Sequence, residues 1–409
     1  MRLRPFRALR PPPALAPRVV SPPYDVVSRR EAAALAEGNP LSFLHVGRSD
    51  IDLPEDVDPH DPRVYAAARA ALDRFVADGT LSRDAEPSVY VYRQVREGRV
   101  QTGVVACVHV DDYERGVIRK HEDTRPDKED DRTRHVLALG AHAEPVFLVH
   151  RDAPAVERLV ADAVASGAVY DFATADGVRH IVWRTPDPGA YVAAFAAVPG
   201  AYVADGHHRS ASAVRAAREL RAARDGGLAG ADWFLAVLFP ANHARILPYN
   251  RLVADLGGRT AGEVRARLER VGRLGRAPEP EPTRPGTFGL YFGATSGWER
   301  LELPQSSIDR ADPIGSLDVS LLQDRVLGPV LGIGDPRTDP RIDFVGGIRG
   351  AGELAGRVDS GAAALALSMY PTTMEQVMAV ADAGHVMPPK STWFEPKLLS
   401  GFFVHELRD

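Results

Sequence analysis

The sequence predicts an α+β or mixed α/β fold that is divided into two units. Predicted strands and helices alternate along the chain without the regular spacing of repeated βαβ units. Of the 409 residues, 44% are hydrophobic and 26% are charged, which is the composition of an ordinary globular protein. A proline-rich stretch near 273–287 interrupts the pattern, and further strands and helices follow it. We place the boundary between a unit over 1–255 and a smaller α/β unit over 256–409.

Local patterns support the elements in order. Prolines predict an extended arm over the first 25 residues. Ser28 and Glu31 form a capping box that starts a short helix, and the hydrophobic spacing predicts a second helix over 62–79. Gly98 marks the turn of a predicted β-hairpin. The other predicted elements are strands over 145–150, 178–184, 201–204, 233–240, 244–253, 287–293, 299–302, 342–345 and 363–368, and helices over 154–166, 188–197, 207–223, 318–328 and 372–383.

Charge and composition exclude several functional classes. The net charge is −5, which argues against sequence-independent binding to nucleic acid. The single cysteine, Cys107, excludes a multi-cysteine metal site. Apolar runs are shorter than the ~18–20 residues of a membrane span, and the N-terminus lacks the apolar core of a signal peptide. We therefore expect a cytoplasmic protein without nucleic-acid or membrane partners, and the sequence leaves a homodimer open.

Lysine is rare in this chain. Only four of the 50 basic residues are lysine, and they lie in two short segments, 120–128 and 390–397. Lysine is a compact point charge, whereas arginine is a planar fork. Where arginine is so strongly preferred, a retained lysine indicates a site that arginine would not serve, although chance also explains the pattern.

The segment 201–213, AYVADGHHRSASA, has the features of a phosphate-binding turn. An apolar strand runs into Gly206, which permits a tight turn, and then directly into a helix whose N-terminus attracts anions. His207, His208 and Arg209 add donors at that end. The alternative is an ordinary helix capped by Asp205. Zinc binding by the two adjacent histidines is disfavoured, because neighbouring side chains on a helix point in different directions.

The segment 120–135, KHEDTRPDKEDDRTRH, mixes both signs of charge between apolar strands. Its carboxylates, Glu122 and Asp123 first, are suited to Mg²⁺ or to the role of a general base. Lys120 and Lys128 add positive charge for a phosphate. The alternative interpretation is a solvated charged surface.

Three proline-containing segments are further candidates. In MPPKSTWFEPK, Lys390, Ser391 and Thr392 offer an ammonium group and two hydroxyls for a phosphate, and a purely structural closing strand is equally compatible. In SPPYD, prolines hold a polar pair formed by Tyr24 and Asp25, although packing of the arm also explains it. In LPYNR, a structural role for Arg251 is favoured.

Together these segments resemble one family. SPPYDVVS, KHEDTRPDKEDDRTRH, YVADGHHR, ILPYNR and MPPKSTWFEPK are similar, in that order, to the motifs of the bacterial and archaeal DUF1015 family. The resemblance covers nearly the whole chain. The family name records an unknown function, but its members are often encoded beside serine-biosynthesis enzymes, which implies a link to serine metabolism.

A more distant resemblance implies a mechanism. The strand-DGHHR-helix element is similar to the phosphate-binding box of the ParB-like superfamily, which includes CTP-binding partition proteins, sulfiredoxin and free-serine kinases. In the kinases, an upstream His-Glu supplies the base that activates the substrate hydroxyl. The resemblance implies that Glu122 is this base, that 144–149 is the intervening strand and that 154–200 is an insertion.

The leading hypothesis is therefore a ParB-like phosphotransferase that binds ATP, ADP or CTP, with Mg²⁺ through Glu122 and Asp123, and acts on a small hydroxylated metabolite such as serine. A phosphoserine phosphatase and a non-catalytic nucleotide-binding switch are the alternatives. We predict that segment 387–405 returns toward the site of the first unit. The predicted catalytic residues are Glu122, Asp205 and His207; the predicted phosphate-binding residues are Gly206, His208, Arg209, Ser210, Lys390, Ser391, Thr392, Lys120 and His121; further candidates are Tyr24, Asp25, Arg125, Lys128 and Arg251.

Overall fold

A computed structural model describes residues 1–223 and 228–408. Contacts divide the chain into two compact units, one formed by Met1–Ala244 with the segment from Pro396 onward, and the other by Arg245–Glu395. The sequence-based boundary lies after residue 255 instead. The structure groups Tyr249–Val253 with the second unit because this strand pairs with Ile342–Gly346 and Leu365–Met369.

The first unit is built on a large mixed sheet. Among the described residues the sheet has nine strands, and Leu3–Arg4 pairs with Arg99–His109 beside the main path. The order of the other strands across the sheet is Ile118–Arg119, Ala201–Asp205, Val146–His150, Trp233–Pro240, Arg99–His109, Tyr90–Arg96, Arg179–Arg184 and Tyr170–Ala173.

One edge of this sheet determines where the polar segments meet. Ile118–Arg119 pairs in parallel with Ala201–Tyr202. Because parallel strands run toward the same edge of a sheet, the residues that follow Arg119 and the residues that follow Asp205 leave the sheet at the same edge. Val146–His150 lies on the other side of Ala201–Asp205 and runs antiparallel to it, so the residues before 146 lie at this edge too.

Helices and short elements complete the first unit. The capping box at Ser28 is confirmed, and the helix predicted over 62–79 is present as Pro62–Ala77. The prediction of a purely extended arm is wrong, because Ala16–Val19 is helical and Pro17 is tolerated in a first helical turn. The helices are Ala16–Val19, Arg29–Ala36, Leu44–Gly47, Ser49–Asp52, Pro62–Ala77, Val110–Glu114, Pro126–Leu139, Pro154–Val164, Pro188–Ala196, His207–Ala223, Ala229–Asp232 and Ala241–His243; Leu9–Arg10 pairs with Ser82–Arg83, and Ala141–His142 with His405–Glu406.

The core of the first unit fixes the strands that carry the polar edge. Val203 is fully buried within a cluster that also contains Leu148, Phe195 and Phe234. Burying side chains of this size contributes roughly 1.5–3 kcal/mol each to folding. The strand Ala201–Asp205 is thereby anchored in the core through Ala201 and Val203.

The second unit has an antiparallel sheet of its own. The proline-rich stretch near 273–287 connects two strands of this sheet, because Arg273–Arg276 and Thr287–Tyr291 both pair with Trp298–Glu302. The strand order is Arg273–Arg276, Trp298–Glu302, Thr287–Tyr291, Leu365–Met369, Tyr249–Val253 and Ile342–Gly346, and Arg245–Leu247 pairs separately with Trp393–Glu395. The helices are Ala261–Leu268, Gln305–Ser307, Asp318–Leu322, Gln323–Leu327, Gly347–Arg349, Gly350–Asp359 and Met374–Asp382.

Within the part of the chain that the structure describes, no helix combines the length and the apolar character that crossing a bilayer requires.

The buried carboxyl group of Asp318 makes the stability of the second unit depend on pH. Burial raises the pKa of Asp318 to about 7, although its Oδ1 accepts a hydrogen bond from the Gly286 N–H at 2.8 Å. The folded state therefore binds this proton more tightly than the unfolded chain, whose aspartate pKa is about 3.9. We expect the contribution of Asp318 to the free energy of unfolding to fall by about 3 kcal/mol as the pH rises from about 4 to 7, out of about 4 kcal/mol in total at 1.36 kcal/mol per pKa unit.

Chemical denaturation at a series of pH values measures this effect. Asp318→Asn removes the titrating group and should flatten the profile over this range, whereas Asp324→Asn, at an exposed position in the same segment, should leave it unchanged. A wild-type profile without this fall would contradict the prediction.

Candidate functional site

The centre of the candidate site is the turn between a strand and a long helix. Ala201–Asp205 ends at Gly206, which has a φ of +95°, and His207–Ala223 begins at the next residue. A Cβ atom at Gly206 would also lie 3.1 Å from Nε of Arg209. Positive φ and close approach both favour glycine here. The turn brings the first N–H groups of the helix directly to the edge of the sheet.

Arg209 is buried under this turn, with 8% of its side chain exposed. Its Nη1 donates a hydrogen bond to the Pro145 carbonyl, and its Nη2 lies 3.0 Å from Oδ2 of Asp205 and 3.7 Å from Oδ2 of Asp25. Burial opposes the charge, but the two carboxylates outweigh it and raise the pKa of Arg209. The guanidinium group thus joins three separate parts of the chain.

Asp205 lies between two cations. Lys397 Nζ is 3.6 Å from its Oδ1, and the Lys397 carbonyl accepts a hydrogen bond from Gln94 Nε2 at 2.8 Å. Burial alone would raise the pKa of Asp205, but Lys397, Arg209 and His207 lower it to about 2. Lys397 is not among the predicted site residues. The rarity of lysine in this chain, with only four in total, is the feature of the sequence that could have indicated it.

Two histidines and a glutamate meet beside the turn. His121 and His207 have 1% and 6% of their surface exposed, and their rings pack edge to face with centroids 4.5 Å apart. Glu122 is partly exposed, and its Oε2 lies 3.9 Å from Nδ1 of His207. Burial lowers the pKa of His121 to about 4 and that of His207 well below its usual range. Both imidazoles are therefore neutral at pH 7.

More exposed residues surround this group. His208 Nε2 accepts a hydrogen bond from the Arg125 backbone N–H at 3.1 Å, and burial lowers the pKa of His208. Lys120 forms an exposed ion pair with Asp123, with 3.3 Å between Nζ and Oδ1. Lys128 is partly exposed in the first turn of Pro126–Leu139. The charged segment 120–135 thus begins beside the N-terminus of the His207–Ala223 helix and continues into the helix Pro126–Leu139.

A second layer of charge lies behind Arg209. The buried side chain of Glu144 accepts hydrogen bonds from Ser400 Oγ at 3.0 Å and from the Tyr24 backbone N–H at 3.3 Å. The Arg132 guanidinium lies 4.0 Å from the centre of the Tyr24 ring. Glu144, Arg132 and Arg209 border a cavity of about 30 Å³, enough for one water molecule. Neither Glu144 nor Arg132 is among the site residues predicted from the sequence. No motif marked Glu144.

Ser210 has a structural role in this arrangement. It is fully buried, and its hydroxyl donates a hydrogen bond to the Gly206 carbonyl at 3.1 Å. This contact secures the turn and uses the hydroxyl proton that a bound phosphate would otherwise accept.

The four remaining predicted residues belong to the second unit. Arg251 is buried, and its Nη2 donates to the Lys390 carbonyl at 3.2 Å. Lys390 has a φ of +58°, and its Nζ lies 5.4 Å from the centre of the Tyr249 ring. Ser391 Oγ donates to the Pro388 carbonyl at 2.5 Å, and Thr392 is partly exposed. The structure thus joins the LPYNR and MPPKST motifs, while their participation in the phosphate site stays a prediction.

The predicted magnesium site fits the observed donors poorly. Mg²⁺ takes oxygen ligands in near-octahedral geometry. Asp123 is exposed and paired with Lys120, whereas Glu122 is grouped with imidazole nitrogens of His121 and His207. The donor set around Glu122 is of mixed nitrogen and oxygen type, which suits transition metals better.

Comparison with known proteins identifies the family. Residues 3–320 match the family described as "Protein of unknown function (DUF1015)". The chain belongs to the DUF1015 family. A search of curated proteins found no match.

Solved structures similar to this DUF1015 protein have low identity and low structural overlap. A C-terminally truncated SbnI from Staphylococcus aureus is 13% identical, with a TM-score of 0.38 over 72% of this chain and 85% of that chain. A free serine kinase variant in complex with AMP is 14% identical, with a TM-score of 0.35 over 71% and 87%. A conserved hypothetical protein from Pyrococcus furiosus is 14% identical, with a TM-score of 0.33 over 71% and 90%.

The contact between Lys397 and Asp205 predicts a measurable pKa change. An opposite charge within ~4–6 Å lowers a carboxyl pKa by roughly 1–3 units. Lys397→Met should therefore raise the pKa of Asp205 from about 2 by at least about one unit, as followed by the ¹³C shift of its carboxyl carbon during an NMR titration.

The matched control is Lys120→Met, which removes a lysine that pairs with Asp123 instead. An equal shift in both variants, or no shift in either, would show that Lys397 does not set the charge of Asp205.

Proposed function

We propose that this DUF1015 protein transfers a phosphoryl group between a nucleotide and a small hydroxylated metabolite. The observation that carries the proposal is the parallel pairing of Ile118–Arg119 with Ala201–Tyr202, which sets Glu122 beside the N-terminus of the His207–Ala223 helix. An anion-binding helix end and a partly exposed carboxylate are thereby adjacent.

The nucleotide phosphates are assigned to the turn at Gly206. The first N–H groups of an α-helix lack intrahelical partners and carry partial positive charge, and this helix has 17 residues. Lys397 and His208 add donors nearby. Arg209 acts as a positioning residue in this proposal, because its guanidinium group already contacts Pro145, Asp205 and Asp25. ATP, ADP and CTP all present the phosphates that such a turn would bind.

Glu122 is the proposed general base for the acceptor hydroxyl. Asp205 is poorly suited to that role, because a carboxylate with a pKa of about 2 is a weak base at neutral pH. Glu122 is partly exposed, which leaves it accessible to an acceptor, and His207 contacts it from the buried side. Serine is the proposed acceptor because the YVADGHHR segment resembles the corresponding box of free-serine kinases.

Mass spectrometry can test this proposal without prior choice of substrate. The pure protein is incubated with ATP, ADP or CTP and with pooled amino and hydroxy acids. Transfer of phosphate to any member of the pool would support the proposal. A separate incubation contains phosphoserine without nucleotide, and loss of its phosphate would identify a phosphatase instead. Nucleotide binding without transfer would identify a nucleotide-binding switch.

Glu122→Gln separates the base from the nucleotide site. The amide keeps the shape of the side chain but does not accept the proton, and removal of a general base typically costs about 10²–10⁴-fold in rate. Nucleotide affinity should change little, because Glu122 is assigned to the acceptor. Turnover and calorimetric nucleotide affinity are the two measurements.

Asp123→Asn is the matched control, since it removes the neighbouring carboxylate, which is exposed and paired with Lys120. It should retain turnover. Loss of nucleotide binding in Glu122→Gln, with turnover falling only in proportion, would contradict the assignment of Glu122 as the base.

A further inference from the structure

Three side chains from two of the predicted motifs form a compact group at this site. His121 and Glu122 are adjacent, but His207 comes from a distant part of the chain and joins them through the pairing of the two parallel strands. The possible ligand atoms of the three residues all lie within 4.8 Å of one another. Two of the residues are buried and the third is partly exposed.

We propose that His121, Glu122 and His207 bind a divalent transition-metal ion of the Zn²⁺ type. Two imidazoles and one carboxylate are a common ligand set for Zn²⁺ and related ions, and three protein ligands leave a position open for water or another oxygen ligand. The two nitrogen donors distinguish this site from the oxygen-only coordination that Mg²⁺ prefers.

The surroundings of His121 support metal binding. The His121 ring hydrogen-bonds to the backbone of Val203, and a hydrogen bond from a ligand imidazole to a carbonyl is the usual way in which its orientation is fixed. The carboxylate of Asp205 interacts electrostatically with both histidines, which favours a cation between them. These groups hold the two imidazoles in place before any ion binds.

The geometry requires the ligand atoms to move closer together, by up to about 1.5 Å for a pair separated by 4.8 Å. Ligand atoms of a tetrahedral Zn²⁺ site lie about 3.3 Å apart when the bonds are about 2.0–2.1 Å long. Glu122 Oε2 and His207 Nδ1 are 3.9 Å apart, so a modest movement of the partly exposed glutamate closes the site on that side.

Metal binding has a consequence for the reaction, and this part rests on the proposed function. A carboxylate bound to a metal ion is not available to accept a proton. If Glu122 is the general base, Zn²⁺ at this site slows phosphoryl transfer, and a chelator restores the rate.

Titration of the chelator-treated protein with Zn²⁺ in a calorimeter, without nucleotide, tests the binding directly. We expect one Zn²⁺ per chain. Removing an outer partner of a metal ligand already costs about 10–100-fold in affinity, so Glu122→Gln and His207→Gln should each weaken binding by at least about 100-fold. His208→Gln removes the neighbouring histidine, which lies outside the group of three, and should bind as the wild type does.

His207 is buried, so His207→Gln is assessed by circular dichroism before it is compared. Glu122→Gln, at a partly exposed position, and the absorption spectrum of Co²⁺ bound to the wild type test the proposal independently of that variant. Absence of stoichiometric binding, or equal affinity in wild type and Glu122→Gln, would overturn it.

The metal proposal and the proposed function fail in different ways. A protein that binds Zn²⁺ at these residues but transfers no phosphate to any acceptor supports the metal site and overturns the function. A protein that transfers phosphate but does not bind Zn²⁺ overturns the metal site alone.

Discussion

The ion pair between the buried Arg209 and the partly exposed Asp205 is the interaction on which the rest of the site depends. Arg209 contacts the Pro145 carbonyl and Asp25, while Asp205 contacts Lys397. The pair therefore links the N-terminal arm, the entry to a central strand, the turn at Gly206 and the C-terminal segment. Removing Asp205 would leave the buried charge of Arg209 without its nearer carboxylate, which destabilises the fold. The folded chain therefore fixes the positions of the charged groups of Arg209 and Asp205.

The parallel pairing at the edge of the sheet is the second constraint. Only two residues of each strand take part, Ile118 with Ala201 and Arg119 with Tyr202. This short contact determines that Glu122 lies beside His207, and hence that a carboxylate and a helix N-terminus face the same volume. The carboxylate provides a base or a metal ligand, and the helix N-terminus provides a site for an anion. The chemistry proposed for this DUF1015 protein follows from that proximity.

Features with a local cause could be predicted from the sequence. The capping box at Ser28 and the turn at Gly206 depend on residues within a few positions of each other, and both are present in the structure. The prediction of an extended arm is wrong over Ala16–Val19, because a proline in the first turn of a helix causes little loss of helix stability.

Features with a distant cause could not be predicted in the same way. The two-residue strand Ile118–Arg119 is too short to produce an alternating pattern, so its partner was not evident. Lys397 joins the first unit because Gln94 and Gln101 bind the backbone of residues 396–397, a contact that no local pattern encodes. Glu144 is buried near Arg209 and Arg132. A single glutamate before a predicted strand does not indicate such burial.

A backbone amide NMR titration with ADP tests the central claim most directly. If the turn binds phosphate, the amide signals of Gly206, His207, His208 and Arg209 should show the largest shifts, and they should saturate together. Saturable binding of ADP with the largest shifts elsewhere, and with these four amides unaffected, would contradict the claim that this helix N-terminus is the phosphate site.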